Sequence, residues 1–122
     1  MTSVKLLDPT TLQNLVDLDD GGSGLLREMI AIFRDDTPRR LRDILAAVAS
    51  GHAESLSQAA HALKGGAGAL GAEALRAAGA ELERLGREGS VDAGSDLEER
   101  LQALFTATLA ALETYAAHLE GR

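Results

Sequence analysis

The chain is 122 residues long, carries 19 acidic against 12 basic residues for a formal net charge of -7, and contains no cysteine. That length suits one domain over 1–122, the acidic balance excludes a phosphate-backbone binder, which needs clustered Lys and Arg, and no disulfide, thiolate nucleophile or cysteine zinc site can be built. The first seven residues hold one lysine and no sustained apolar core, so no secretory signal is expected, and the charge-free stretch Leu101–Leu112 is shorter than the ~20 apolar residues of a membrane span. A cytoplasmic protein without nucleic-acid or membrane partners is expected.

Ala, Leu, Glu and Arg dominate while Val and Ile are sparse, which favours helices throughout and an all-α fold. Asp8-Pro9 predicts an N-cap with proline at the first helical position, opening a helix near 9–18 that buries Leu12, Leu15 and Val16. After the turn cluster Asp19–Gly24, the residues Leu25, Leu26, Met29, Ile32 and Phe33 recur at helical spacing over 24–35. Pro38 lacks a backbone donor, so Asp36-Thr37-Pro38 either caps a further helix over 37–49 or kinks a continuing one. Its stripe is Leu41, Ile44, Leu45 and Val48. Ser50-Gly51 ends that element, and Leu56, Ala59, Leu63, Ala67 and Leu70 mark a helix over 52–69. Leu75, Ala78, Leu82 and Leu85 mark another over 72–87, ending near Gly86–Ser90. The last, over 95–119, turns Leu97, Leu101, Leu104, Thr108, Leu112, Tyr115 and Leu119 inward. Short links imply antiparallel neighbours, hence an antiparallel helical bundle with a four-helix core plus short additional N-terminal helices.

The chain has two lysines, Lys5 and Lys64, and Lys64 stands one helical turn after His61. At ~100° per residue, His61, Gly65 and Gly68 share a stripe roughly 60° wide, with Lys64 at its edge and Ser57 one turn earlier. The leucines lie on the opposite side, so His61 is expected outward with no side chain on the next two turns. Each interior glycine costs a helix ~1 kcal/mol relative to alanine, so Gly65, Gly66 and Gly68 imply a steric requirement: clearance for a partner at Gly65 and Gly68. A neutral exposed imidazole can take a phosphoryl group on a ring nitrogen, and Lys64 would offset its charge. Ser57 and Gln58 are candidate neighbours of the ring. Of Met29, Ile32 and Phe33, not all can face inward; Ile32 and Phe33 are candidates for docking a partner.

His61-x-Leu63-Lys64-Gly65, with Gly71 six positions later, resembles the histidine phosphotransfer (HPt) family. A helix ending in Ala59-Ala60 before the motif, and Leu75 through Leu82-Glu83 after it, extend the resemblance over most of the chain. It implies a four-helix core, His61 as phosphoacceptor through Nε2, and a two-component phosphorelay in which His61 exchanges a phosphoryl group with a receiver-domain aspartate. The implied partners are a response-regulator receiver and a hybrid histidine kinase. Mg²⁺ is supplied by the receiver, with no cofactor held by this domain, and the chain acts as a monomeric phosphocarrier rather than an enzyme. Gly66-Ala67 stands where many phosphorelay members have two serines, and Gly-Gly-Ala-Gly is similar to the phosphoacceptor domain of chemotaxis-type histidine kinases, which makes that the alternative. A helical adaptor without phosphotransfer is a third.

Other patterns are plain structure. Gly66–Gly71 satisfies Gly-x-Gly-x-x-Gly, but the preceding segment is helically periodic rather than a strand, so no dinucleotide site is expected. His52 and His118 are solvated, and no metal site is expected from three scattered histidines. Glu81, Glu83, Arg84, Arg87 and Glu88 form a solvated mixed-charge face.

Overall fold

In the computed structural model, which describes residues 5–121, Asp8 opens the first helix, α1 (Pro9–Leu18). Its Oδ1 accepts the Thr10 amide at 3.0 Å and its Oδ2 the Thr11 hydroxyl at 2.9 Å, while Pro9 fills a first-turn position needing no donor. Four further helices follow: α2 (Gly24–Ser50), α3 (Ala53–Ala69), α4 (Glu73–Arg87) and α5 (Leu97–Glu120). No helix among the described residues is long and apolar enough to cross a membrane.

The two helices expected over 24–35 and 37–49 are one. Pro38 lies inside α2, which runs 27 residues without a break. The reason is the register of the buried stripe, Leu26, Ile30, Phe33, Thr37, Leu41 and Ile44, which continues through the proline at spacings of three and four. Packing of that unbroken face outweighs the roughly 3 kcal/mol an interior proline costs a helix. One short helix, α1, therefore precedes the four-helix core, rather than two.

Helices α2 to α5 close a ring in which α2 packs on α3 and α5, and α4 on α3 and α5. Two of the reversals are tight. Gly51 adopts φ +73°, and the Gly51 and His52 amides turn back to the Val48 and Ala47 carbonyls. Gly71 adopts φ +74°, and its carbonyl accepts the Asp8 amide at 2.8 Å, which pins the start of α1 to the α3–α4 turn. A β-carbon there would lie 3.1 Å from the Asp8 carbonyl oxygen, so a side chain at position 71 would be strained by conformation and crowded by its neighbours. Between the start of α2 and the end of α5, Arg27 grips Glu120 at 2.6 and 3.1 Å, and Ser23 adds a bond at 2.9 Å. The Arg27 guanidinium, with the Ser23 hydroxyl, holds the Glu120 carboxyl down to about 2.

The core is mainly leucine: Leu12, Leu26, Leu56, Leu63, Leu75 and Leu112 are fully buried. In α3 the buried alanine of the first two turns is Ala60 rather than Ala59, which is half-buried. In α5 Leu97, Leu101, Thr108 and Leu112 are buried as expected, but Phe105 and Ala116 take the places expected of Leu104 and Tyr115, which pack at the margin with Leu119. Phe105 meets Phe33 of α2 with ring centroids 5.5 Å apart and a tilt of 46°, a favourable aromatic geometry.

Thr108 is fully buried in α5 and its hydroxyl has no partner among the described residues. Valine keeps the shape and removes the stranded polar group. Thr108→Val should therefore raise the free energy of unfolding, measured by urea titration, by about 1–3 kcal/mol. A loss of stability would mean that the hydroxyl is satisfied.

Candidate functional site

Two glycines on α4 set how closely it approaches α3. A β-carbon on Gly79 would sit 3.0 Å from the Lys64 nitrogen and 3.2 Å from the Ala60 oxygen; one on Gly86 would sit 2.6 Å from both the Ala53 oxygen and the Ser57 nitrogen. These are backbone atoms of α3, so the two helices meet main chain to main chain. Positions 79, 83 and 86 share one helical face. Glu83 is thereby carried into the seam between the two glycines and is left only 3% exposed.

Three cationic or hydrogen-bonding groups converge on that carboxylate. Lys64 Nζ lies 2.5 Å from Oε1, His61 Nδ1 lies 2.8 Å from Oε2, and Arg87 Nη2 lies 2.9 Å from the same Oε2. The Lys64 bond, with smaller contributions from His61 and Arg87, lowers the Glu83 pKa against the opposing effect of burial, so the group is an anion at neutral pH. An ionised carboxylate only accepts hydrogen bonds, so Nδ1 of His61 is the donor and carries the ring proton of the neutral imidazole. Nε2 then holds the free lone pair. The imidazole as a whole is 67% exposed, so the free nitrogen belongs to the outward part of the ring.

The glycines after His61 differ from one another. Around Gly65 a β-carbon would meet nothing within 4 Å, so the surface beside His61 is open there. At Gly66 the space is taken by Arg40 of α2, whose Nη1 would lie 2.7 Å from a β-carbon and which donates to the Ala62 carbonyl. At Gly68 a β-carbon would touch the Arg76 stem at 3.5–3.6 Å, an ordinary contact, and Arg76 is itself clasped by Glu73 at 2.6 and 2.8 Å. Of the two glycines for which clearance is expected, Gly65 therefore borders open space, whereas Gly68 has the Arg76 stem beside it.

Several expected neighbours stand elsewhere. Ser57 lends its backbone to the Gly86 contact, and Gln58 is exposed beside the α2–α3 groove; neither side chain bonds to His61 among the described residues. Ile32 is 60% exposed, as a docking residue would be, but Phe33 is a core residue turned toward Phe105. Met29, Ile32, Asp36 and Arg40 rim a mostly apolar cleft of about 150 Å³ between α2 and α3, with Phe33 contributing to its wall. His52 occupies the N-cap position of α3 with its ring 3.1 Å from the Ser50 hydroxyl rather than on the helix amides, and His118 is exposed on α5. No cluster of three metal-ligating side chains occurs among the described residues. The Gly-x-Gly-x-x-Gly segment is helix up to Ala69, so no strand precedes it.

Glu83 is the residue the sequence did not expose. Glu81, Arg84, Arg87 and Glu88 of the same charge run are on the surface, as expected for a solvated face, but Glu83 is not. Gly79 and Gly86, seven apart and bracketing Glu83, carried the available signal.

The chain thus defines an all-α bundle that turns one imidazole outward, held from behind by a buried carboxylate. A protein-family model described as "Hpt domain" matches residues 28–114, and the chain belongs to that family. Among solved structures it is similar to histidine-containing phosphotransfer protein B (HptB) from Pseudomonas aeruginosa PAO1, with a TM-score of 0.80 and 27% identity over 95% of this chain and 98% of that one. It shares its fold with the histidine-containing phosphotransfer domain of ArcB from Escherichia coli, with a TM-score of 0.61 and 18% identity over 93% of this chain and 94% of that one. No curated protein sequence gives a significant match.

The close approach of α3 and α4 has a direct check. Gly86→Ala should lower the unfolding free energy by about 1–3 kcal/mol through overpacking, even though alanine is the better helix former. A variant as stable as the parent in urea titration would show that the helices are further apart.

Proposed function

We propose that the chain carries a phosphoryl group on Nε2 of His61, exchanging it with the aspartate of a response-regulator receiver domain in a phosphorelay. The observation that carries this reading is the bond from Nδ1 of an exposed imidazole to a buried, ionised carboxylate, at 2.8 Å. It reserves one ring nitrogen for orientation and leaves the other as a nucleophile pointing at solvent. Membership of the Hpt domain family and the likeness to HptB support it.

In this reading the Nε2 lone pair attacks the phosphorus of the receiver's aspartyl phosphate. The P–O bond to the aspartyl carboxyl breaks, its electron pair leaves with the carboxylate, and an N–P bond forms; the reverse step returns the group. Lys64 supplies charge next to the phosphoryl group, and Gly65 leaves room for the receiver to close over it. Mg²⁺ would be bound by the receiver, and this domain would hold no cofactor of its own. The domain acts as a phosphocarrier, in the cytoplasm and as a monomer, between a hybrid histidine kinase and its regulator.

Incubation with a receiver carrying labelled phosphate should transfer an acid-labile, base-stable label to the chain, and His61→Gln should abolish it. An unlabelled parent chain would favour a helical adaptor, and label persisting in His61→Gln would move the acceptor to another residue.

The glycines can be separated by a second pair of variants. Gly65→Ala should stabilise α3 by up to about 1 kcal/mol yet slow transfer from a receiver, while leaving acceptance from the small donor phosphoramidate unchanged. Gly68→Ala, whose methyl meets the Arg76 stem in ordinary contact, should slow neither. Equal receiver kinetics for Gly65→Ala and the parent would remove the clearance role from Gly65.

A further inference from the structure

The two cations on Glu83 do not use the same oxygen. Lys64 meets Oε1 at 2.5 Å, whereas Arg87 meets Oε2 at 2.9 Å, and Oε2 is the oxygen that holds the imidazole. They also differ in where they are rooted. Arg87 stands four residues after Glu83 on α4, so that pair is made within one helix. Lys64 belongs to α3, one turn after His61, on a flexible four-carbon stem ending in a compact ammonium. A phosphoryl group on His61 brings close to two negative charges beside a lysine that, in this structure, is already neutralised by Glu83.

Resting on the phosphoacceptor reading of His61, we infer that the two cations divide the work. Lys64 is the mobile one: as the N–P bond forms, its ammonium leaves Oε1 and pairs with the phosphoryl oxygens. Arg87 is the fixed one, a positioning residue that keeps Glu83 compensated and Oε2 aimed at Nδ1 while Lys64 is away. A buried carboxylate stripped of every cation is strongly disfavoured, so Lys64 is free to move only because Arg87 stays. With phosphoramidate as donor, the Nε2 lone pair attacks phosphorus, the P–N bond breaks and its electron pair leaves with ammonia. The Nδ1 proton remains between the ring and Oε2 throughout.

The consequence is that Arg87 acts through Lys64. Without Arg87, Lys64 must stay on Glu83, so its contribution to the phosphoryl group disappears along with the arginine. Acceptance from phosphoramidate, which needs no docking, should fall about tenfold in Lys64→Gln and in Arg87→Gln alike, the size of one lost charge-assisted hydrogen bond. Arg87→Lys should recover most of the rate. Arg87 is 67% exposed on its side chain, so folding should survive, and an unchanged melting temperature would verify it. The side-chain ammonium of Lys64, followed by ¹H–¹⁵N NMR, should shift on phosphorylation in the parent and stay in place in Arg87→Gln. An Arg87→Gln chain labelled as fast as the parent, or one whose Lys64 ammonium shifts on phosphorylation as it does in the parent, overturns the division of work. A parent chain that takes up no phosphoryl group overturns the phosphoacceptor reading itself, and this inference with it.

Discussion

A carboxylate held in the seam between two helices stays ionised only if cations meet it there, and the geometry around His61 follows from how this chain meets that demand at Glu83. Burial opposes the charge; Lys64, His61 and Arg87 restore it. Because the carboxylate is an anion, it accepts a hydrogen bond from Nδ1–H of His61 and so determines the tautomer. Because it is buried on α4, it pulls the imidazole of α3 into one orientation against the bundle. The outward nitrogen inherits its direction from that single bond.

The rest of the fold serves the seam. Gly79 and Gly86 bring the backbone of α4 against that of α3, and this close approach places Glu83 between Lys64 and His61. Gly71 turns the chain between the two helices and anchors α1 upon the turn, so the loop that sets their relative register is tied down from outside. The leucines on the inner face of α3 hold it to the bundle, with Arg40 reaching across from α2 to the Ala62 carbonyl. Gly66 makes room for that reach, which gives it a structural role distinct from the open surface at Gly65.

Much of this was legible in the sequence because it is local. Helical periodicity, the Asp8-Pro9 start, the glycine stop at Gly51 and the His61-x-Leu63-Lys64-Gly65 pattern each depend on neighbours within a turn or two. What escaped depends on contacts between elements. Pro38 is a stop signal by itself, and only the stripe running from Leu26 to Ile44 shows why the helix ignores it. On α5, Leu104 and Phe105 both fit an inward stripe, and the choice falls to Phe105 because Phe33 lies opposite. Gly68 looks as open as Gly65 until the Arg76 stem from α4 is found beside it, and Glu83 looks solvated until two glycines are seen to press its helix against another.

The account depends most on the bond that occupies Nδ1, and the phosphorylated chain tests it directly. Correlated ¹H, ¹⁵N and ³¹P NMR identifies which ring nitrogen of His61 bears phosphorus. Phosphorus coupled to Nε2, with the proton retained on Nδ1, is the predicted result. Phosphorus on Nδ1, or divided between the two nitrogens, would contradict the role given to Glu83.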